Sequence, residues 1–309
     1  MRAHAATITV VGSLNVDVIT SVKRLPKPGQ TIPATDLIRR LGGKGANQAI
    51  AAARQGARVT LIGCVGDDAE GRSYLDHLRR EKVTVSTIKT ARGIGTGTAL
   101  IAVDESSENL IIVYPGANAQ LTAPTLKLQR ARIEVASALL LQLEIPMETV
   151  VEAIQIANVA KVPVVHNPSP PSPDFPWGKV TLDVLIVNET EAVELFSLEP
   201  DKMATQTAAW LEAMTAKKVS SLIVTRGSRS TLALHQGQFH EAPPHRVEPV
   251  DSVGAGDAFA GAFTAQFYAG KPFGEALRWA NVAGALTTLK PGAQEGIPLA
   301  GDVIVALNG

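Results

Sequence analysis

The stretch best suited to chemistry is a run of small residues from Gly254 through Ala255 to Gly256, followed at once by Asp257. The apolar residues after Asp257 recur at helical spacing, so a glycine-rich turn is predicted to open a helix here. Such a turn leaves backbone N–H groups without carbonyl partners, and with the helix dipole they suit an anion such as phosphate. Asp257 would then stand beside the anion, where a carboxylate can take a proton from an attacking hydroxyl. The simpler alternative is a helix start in which Asp257 is only a cap.

A second polar pair, Asn15 and Asp17, follows the apolar run from Thr7 to Val11, which is typical of a buried strand. Residues two apart in an extended segment point to the same side. Ligands of α/β sheets bind beyond the carboxyl ends of strands, so this pair suits recognition of hydroxyl groups. An Asx turn explains the same two residues equally well.

Another glycine turn, Leu41 to Gly45, precedes an alanine-rich segment that favours a helix. Gly43, Lys44 and Asn47 in and after this turn suit the oxygens of a polyol or of a phosphate. The turn is not a P-loop, because the glycine spacing and the Lys-Ser/Thr pair are missing. Close helix packing is the alternative, since glycine and alanine favour that too.

Composition excludes several classes of protein. The chain has 309 residues, of which 45% are hydrophobic and 19% charged, as in a globular protein. Lys+Arg and Asp+Glu both number 29, and there is no basic run, which argues against nucleic acid as a partner. The single cysteine, Cys64, fits a reducing compartment. No apolar run is long enough for a membrane span, and we expect a cytoplasmic protein.

Strand and helix patterns alternate along most of the chain, which predicts an α/β fold with a doubly wound, mainly parallel, Rossmann-like sheet. We expect one domain over residues 1–309. Two strand patterns joined by Asp104 to Asn109 form a hairpin signal that breaks the alternation. With residues 15–40, the segment 96–115 is expected to form a small inserted sheet that acts as a lid; an edge hairpin without a role is the alternative.

Polar residues recur just after the predicted strands, and the carboxyl ends of parallel strands share one edge of a sheet. They are therefore expected to gather there: Asn15, Asp17, Glu144, Asn188, Glu191, Thr225 and Asp257.

Five motifs in order resemble those of the ribokinase-like (PfkB) carbohydrate kinases. They are Gly12-Ser13-Leu14-Asn15-Val16-Asp17, Gly42-Gly43-Lys44-Gly45-Ala46-Asn47, Asn188-Glu189-Thr190-Glu191, Thr225-Arg226-Gly227-Ser228 and Gly254-Ala255-Gly256-Asp257. Each motif alone is weak, but five in this order are specific. The likeness runs over nearly the whole chain.

The resemblance implies ATP-dependent phosphorylation of the 5-hydroxyl of ribose, with Asp257 as the base. The N–H groups of Gly254, Ala255 and Gly256 would hold the transferring phosphoryl group, since phosphoryl transfer needs positioning and charge stabilisation. The positions that match sugar contacts are Asn15, Asp17, Gly43, Lys44, Asn47, Glu144 and Asp257 itself.

The resemblance also implies nucleotide and cation sites. The nucleotide positions are Thr225, Arg226, Gly227, Ser228, Gly256 and Asn281, and Asn188 and Glu191 match a motif tied to Mg²⁺ and phosphate. A potassium ion is implied at Asp251, Val253, Thr287, Lys290, Gly292 and Gly296. A homodimer formed through the lid sheet is implied as well.

Three positions depart from the usual family pattern. Gly296 stands where a serine hydroxyl is usual, so a water would replace one potassium ligand or the cation dependence would be weaker. Ser230 replaces a common glycine, which matters if the position needs a positive φ. Arg226 stands where an apolar residue is common, and we expect it to be exposed near the nucleotide or simply solvated.

Other functions stay open at this point. A kinase of the same fold acting on another small sugar or nucleoside, such as deoxyribose, a ketohexose or pseudouridine, differs by only one or two pocket residues. A nucleotide- or sugar-binding regulator without catalysis is disfavoured by the intact Asp257 and its glycine turn. A Rossmann oxidoreductase is disfavoured because Gly12 to Asn15 is not a G-x-G-x-x-G turn.

Overall fold

The computed structural model of the protein describes residues 5–106 and 108–308. Ser107, within the predicted hairpin loop and lid segment, lies outside the described residues, as do residues 1–4 and 309 of the predicted domain. No helix among the described residues is both long and apolar enough to cross a membrane.

The strands form two sheets. In chain order they are β1 Thr7–Val11, β2 Asn15–Val22, β3 Ile38–Gly42, β4 Arg58–Gly66, β5 Ile88–Ala91, β6 Gly97–Asp104, β7 Asn109–Tyr114, β8 Ala138–Leu141, β9 Val164–His166, β10 Leu182–Asn188, β11 Val219–Thr225, β12 Thr231–His235 and β13 Gln238–Ala242.

The nine-stranded sheet has the order β13-β12-β11-β10-β9-β8-β1-β4-β5. Its strands pair in parallel except at β11-β12 and β12-β13, which are antiparallel. The four-stranded sheet has the order β3-β2-β6-β7. The predicted fold class, a mainly parallel doubly wound sheet with a small second sheet, is confirmed.

Helices cover both faces of the large sheet. They are α1 Lys44–Arg54, α2 Ala69–Arg80, α3 Ala123–Lys127, α4 Arg130–Glu134, α5 Met147–Ala160, α6 Glu189–Phe196, α7 Thr207–Ala216, α8 Ala255–Tyr268, α9 Phe273–Thr287 and α10 Ala300–Asn308.

Two apolar cores follow from the alternation of side chains along the strands. In β10, Val184 and Ile186 pack into the core that contains α1, α8 and α9, whereas Leu185 and Val187 pack into the core that contains α5, α6 and α7. Successive strand residues face opposite sides of a sheet, so a strand buried on both faces contains a continuous apolar run, here residues 184–187.

The first helix approaches α8 very closely, and a glycine makes this possible. A Cβ at Gly261 of α8 would lie 2.5 Å from the backbone oxygen of Gln48 and 2.6 Å from the Cβ of Ala51, both in α1. Any side chain at Gly261 would push the two helices apart. The start of α1 and the start of α8 are therefore held side by side.

Candidate active site

The turn before α8 has a backbone that only glycine adopts comfortably. Gly254 is the N-cap of the helix and has φ 79°. A Cβ there would lie 2.7 Å from both the Cα and the oxygen of Ala293. At Gly256, by contrast, a Cβ would meet no atom within 4 Å. The turn thus combines one sterically required glycine with one that faces open space.

Asp257 lies in the first turn of α8 and is buried. Its Oδ2 accepts a hydrogen bond of 2.9 Å from Nδ2 of Asn47, and its Oδ1 accepts one of 2.9 Å from Nε2 of Gln48. Each carboxylate oxygen therefore has one protein donor and keeps lone-pair capacity for another. The carboxylate is held in orientation by α1 and can still accept a proton.

Two cavities meet at the start of α8. The larger, of about 610 Å³, and the smaller, of about 240 Å³, share Thr225, Ser252 and Gly256 in their walls. The larger cavity contains several of the predicted nucleotide positions: Thr225, Arg226, Gly227, Ser228, Gly256 and Asn281. The smaller contains Lys44, Asn188, Glu191, Thr225, Gly254, Gly256 and Asp257. A group bound in one cavity thus adjoins a group bound in the other at Gly256, beside the Asp257 carboxylate.

The start of α1 is tied to Glu144, which follows β8. The Glu144 carboxylate accepts a hydrogen bond of 2.9 Å from the backbone N of Lys44 and one of 2.5 Å from Oγ of Ser13. Gly43, the N-cap, has φ 88°, and a Cβ there would lie 2.7 Å from the backbone N of Asn15. The predicted sugar positions Asn15, Gly43, Lys44 and Glu144 therefore lie together.

The Lys44 side chain reaches the smaller cavity as a charged group. Burial alone would lower the pKa of Lys44. The carboxylates of Asp257 and Glu144 outweigh that effect, and the pKa is raised above its ordinary value. An ammonium group that stays charged in the cavity that Gly254 and Gly256 also line suits a phosphate.

Asn15 and Asp17 are residues of β2, at the end of the small sheet nearest to α1. Asn15 is buried, and its Oδ1 accepts a hydrogen bond of 2.7 Å from Nδ2 of Asn118. A Cβ at Gly42 would lie 2.2 Å from Oδ2 of Asp17, so the missing side chain makes room for this carboxylate.

The electrostatics of Asp17 are unusual. Burial, followed by repulsion from the carboxylates of Glu144, Glu295 and Asp257, raises the pKa of Asp17 from 3.8 to about 7. A carboxylic acid whose proton affinity is this high is a candidate ligand-binding group.

Asn188 and Glu191 form a capping box at the start of α6. Oδ1 of Asn188 accepts a hydrogen bond of 2.8 Å from the backbone N of Glu191, and the Glu191 carboxylate accepts one of 2.9 Å from the backbone N of Asn188. Burial raises the pKa of Glu191. Both residues line the smaller cavity, so the box is at once a structural cap and a wall of the site.

The expectation that Arg226 is exposed is wrong. Its side chain is 6% exposed and forms an ion pair with Asp201. Nε and Nη2 donate hydrogen bonds of 2.7 Å to the backbone oxygen and the Oγ of Ser230. Arg226 therefore braces the wall of the larger cavity. Ser230 does not have a positive φ, so the departure from glycine causes no backbone strain.

Asn281 is held in place by neighbours around the larger cavity. Its Oδ1 accepts a hydrogen bond of 2.7 Å from Oγ1 of Thr231, and its Nδ2 donates to the backbone oxygens of Ala242 and Pro243. The hydrogen bonds of this amide thus connect α9 with β12 and with the end of β13.

The predicted potassium positions lie in two loops and at the end of α9. Asp251 Oδ1 and Oδ2 accept hydrogen bonds from the backbone N of Val253 and of Gly292. A Cβ at Gly296 would lie 2.2 Å from the backbone oxygen of Thr287, so this backbone leaves no room for a serine. Lys290 is exposed.

Side-chain ligands alone do not form a metal site here. Within 5–106 and 108–308, no three or more His, Cys, Asp or Glu side chains are grouped so that they could hold a metal ion. A cation in these loops would have to be held largely by backbone oxygens.

Sequence reasoning missed Gln48 and Asn167, which both lie at the site. Gln48 Nε2 bridges Oδ1 of Asp257 and Oδ1 of Asn167, the latter at 3.1 Å, and Asn167 lines the smaller cavity. One signal was available: Gln48 is a polar residue on the apolar side of an alanine-rich helix.

Comparison with known proteins covers almost the whole chain. The family model "pfkB family carbohydrate kinase" matches residues 5–300. A ribokinase of Haemophilus influenzae is 36% identical over 293 residues, which are 94% of this chain and 95% of that protein. A deoxyribokinase of Salmonella typhi is 30% identical over 94% of this chain and 95% of its own length.

A solved structure with the same architecture is the ribokinase of Arabidopsis thaliana complexed with ribose and ATP. It superimposes with a TM-score of 0.89, at 28% identity, over 99% of this chain and 100% of that one.

Proposed function

Because the chain belongs to the PfkB family of carbohydrate kinases, we propose that it transfers the γ-phosphoryl group of ATP to the 5-hydroxyl of D-ribose. The observation that carries the proposal is the place of Asp257. A carboxylate with lone pairs to spare lies where two cavities meet, directly after Gly256, which faces open space at the helix start. The relatives named ribokinase favour ribose as the acceptor.

In this proposal the adenine and ribose of ATP occupy the larger cavity, and its phosphates pass Gly256. The 5-oxygen of the sugar forms a bond to the γ-phosphorus while the bond from that phosphorus to the β–γ bridging oxygen breaks. Asp257 accepts the hydroxyl proton and later releases it to solvent. The N–H groups of Gly254, Ala255 and Gly256, with the Lys44 ammonium, stabilise the charge on the transferring group.

The Glu191 carboxylate in the wall of the smaller cavity fits Mg²⁺. Mg²⁺ in phosphoryl-transfer sites is usually held by one or two carboxylates together with phosphate oxygens and water. Glu191 is the residue that would hold it, either directly or through water, with Asn188 fixing its orientation. When bound, the ion would neutralise charge on the phosphates.

We further propose a potassium ion among the loops that carry Asp251, Val253, Thr287, Lys290, Gly292 and Gly296. The carbonyl of Thr287 faces Gly296, where the family usually has a serine hydroxyl. The ligand shell would therefore rely on backbone oxygens and one water at that point, and the dependence on K⁺ would be weaker.

The sugar is placed between the small sheet and α1 in this proposal, with Asn15, Asp17, Gly43, Asn47 and Glu144 around its hydroxyl groups. The small sheet would close over it as a lid and exclude water from the transfer.

The substrate is tested by measuring ADP release with Mg·ATP and a panel of ribose, deoxyribose, fructose, tagatose, adenosine and pseudouridine, each in K⁺ and in Na⁺. We expect the highest kcat/KM for ribose and a moderate increase in K⁺. Deoxyribose is the second candidate, because a related deoxyribokinase is 30% identical. If another sugar gives the highest kcat/KM, ribose is the wrong substrate. If ATP binds and none of the panel is phosphorylated, a non-catalytic regulator replaces the kinase proposal.

The titration of Asp17 gives a prediction for sugar binding. A carboxylate accepts sugar hydroxyl hydrogens better than its protonated form, and the pKa of Asp17 is about 7. The KM for ribose is therefore expected to rise as the pH falls below about 7, while kcat changes less. In Asp17→Asn the KM should be at least about tenfold higher at pH 8 and nearly independent of pH. Steady-state kinetics from pH 5.5 to 9 measures both.

The raised pKa of Asp17 should also lower the free energy of unfolding at neutral and higher pH. Its pKa is higher in the folded chain than the ordinary 3.8, so the folded state binds the proton more tightly and stability falls as the pH rises from about 4 to about 7. Without ligands at pH 8, Asp17→Asn is expected to be more stable than the parent by roughly 1–3 kcal/mol. The exposed Asp174→Asn is the control. A variant less stable than the parent at pH 8 would contradict the Asp17 titration.

We also propose that the small sheet pairs two copies of the chain. The edge strand β7 is exposed along its length, and its apolar residues Ile111, Ile112 and Val113 are each more than half exposed. An apolar surface of this kind marks an interaction site. Ile112→Lys should convert a dimer into a monomer in light scattering after gel filtration, whereas Val159→Lys, at an exposed valine of α5, should not. A parent protein that is monomeric at micromolar concentration would contradict this proposal.

A further inference from the structure

We propose that Gln48 is a positioning residue for the transfer step, because it completes a chain of buried amides that orients the Asp257 carboxylate. This inference rests on the proposed function, in which Asp257 is the base. Gln48 is fully buried in α1. Its three hydrogen bonds, to Asp257, Asn167 and Gln142, use both N–H groups and the oxygen of its amide.

The direction of the Gln48 amide follows from a backbone carbonyl, which can only accept. Nδ2 of Asn167 donates to the backbone oxygen of Ile186 at 2.9 Å, so Oδ1 of Asn167 must face Gln48. Gln48 must then present its NH₂ group to Asn167, and the second N–H of that group points to Asp257.

A second glutamine fixes the opposite end of the Gln48 amide. Nε2 of Gln142, just after β8, donates a hydrogen bond of 2.6 Å to Oε1 of Gln48. Oε1 of Gln142 is buried and has no partner among the described residues. A missing hydrogen bond of this kind costs ~1–3 kcal/mol. The N–H of Gln142 nevertheless pairs with Oε1 of Gln48 and so holds that oxygen away from Asp257.

A second series of hydrogen bonds ends at Oδ2, the other oxygen of the Asp257 carboxylate. Tyr74 donates its hydroxyl hydrogen to the backbone oxygen of Gly42, and its oxygen accepts a hydrogen bond of 2.8 Å from Nε2 of Gln294. The same Nε2 donates to Oδ1 of Asn47 at 2.9 Å, which leaves Nδ2 of Asn47 for Asp257. Both chains begin at a backbone carbonyl and end with an N–H on the carboxylate.

The consequence for catalysis is geometric. A carboxylate gripped by one neutral donor on each oxygen cannot rotate about its Cβ–Cγ bond, yet each oxygen keeps capacity to accept the substrate hydroxyl. A misplacement of about 1 Å in a reacting group can cost ~100-fold in rate. Loss of Gln48 should therefore lower kcat and leave substrate binding largely unchanged.

The experiment compares Gln48→Met with Gln55→Met in the parent kinase assay. Gln55 caps the same helix and is also buried; its amide joins Pro298 and Trp279, away from Asp257. We expect kcat to fall ~10–100-fold in Gln48→Met, with KM for ribose and ATP within about threefold of the parent. Gln55→Met should keep the parent kcat, even if its melting temperature falls by as much as that of Gln48→Met. A kcat within twofold of the parent in Gln48→Met, or equal losses of kcat in the two variants, would overturn the inference.

Two further variants protect the test against misfolding. Gln142→Met does not touch Asp257, but it removes the donor that holds Oε1 of Gln48 in place. The kcat should therefore fall in the same selective way, and the double variant should be no slower than Gln48→Met alone. Gln48→Glu removes the donor and places a second carboxylate against Asp257, so the acid limb of the kcat profile should move up by at least about one pH unit. Asp17 and Lys44, whose charges interact with that of Asp257, are the same in the parent and in this variant. Additive losses in the double variant, or an unshifted acid limb, would show a structural role only.

Failure of the proposed function is seen separately from failure of this inference. If the parent enzyme does not phosphorylate ribose, the choice of substrate is wrong, and the comparison is made with the panel sugar that is turned over. If the parent is active and the Gln48 variants match it, the positioning role is wrong.

Discussion

Asp257→Asn is expected to lower kcat by ~10²–10⁴-fold while ATP still binds with nearly the parent Kd. An amide has no basic oxygen of comparable strength, so the hydroxyl proton has no acceptor as the bond to phosphorus forms. The amide also receives donors on both sides, from Asn47 and Gln48, although only one of its two ends can accept. Single-turnover kinetics and calorimetric titration with ATP measure the two effects.

The matched control is Asp183→Asn. Oδ2 of Asp183, in β10, accepts one hydrogen bond of 2.8 Å from the backbone N of Val164, and the residue belongs to neither cavity. Its replacement removes a carboxylate with little change in shape and should leave kcat at the parent value. An Asp257→Asn variant that folds and retains kcat within tenfold of the parent would show that Asp257 is not the base.

Gly256→Ala is expected to abolish most turnover in a protein that folds normally. A Cβ at Gly256 meets no atom within 4 Å, so the folded chain accepts it. The methyl group would instead project into the space where the two cavities meet, where the proposal places the γ-phosphate. We expect a loss in kcat/KM of ~100-fold or more, because an oxyanion donor displaced from its partner costs about that much.

Gly254→Ala should behave differently, although it lies only two residues away. Alanine at φ 79° is strained by about 1–2 kcal/mol, and its Cβ would lie 2.7 Å from the backbone of Ala293. We therefore expect a clear loss of thermal stability together with a loss of activity.

Gly274→Ala in α9 is the control for Gly256→Ala, because a Cβ there also meets no atom within 4 Å. If Gly256→Ala turns over at the parent rate, the phosphate does not pass this turn.

Much of the fold could be predicted because its signals are local. A strand buried on both faces contains a continuous apolar run, and β8 and residues 184–187 of β10 show this in the sequence. The polar residues after the strands were expected at one edge, and the structure places Asn188, Glu191, Thr225 and Asp257 there in the walls of two adjoining cavities.

Electrostatic environment is less local, and the sequence predicted it poorly. The high pKa of Asp17 arises from burial and from carboxylates that lie far along the chain. The burial of Arg226 depends on Ser230 of its own loop and on Asp201, which lies 25 positions earlier in the chain. The ion pair with Asp201 is not visible in a motif, so the exposure predicted for Arg226 was wrong.

The sequence by itself determined where glycines let the chain turn or approach another segment closely. It also determined that a carboxylate follows the turn at Gly254–Gly256, and it contains the motif order that identifies the family. What only the tertiary structure decided is which amides hold that carboxylate. Asn47 and Gln48 are 210 and 209 positions from Asp257 in the chain. They meet it because Gly261 lets α1 and α8 touch. The orientation of each amide is set by donors and acceptors on other elements, which no local pattern records.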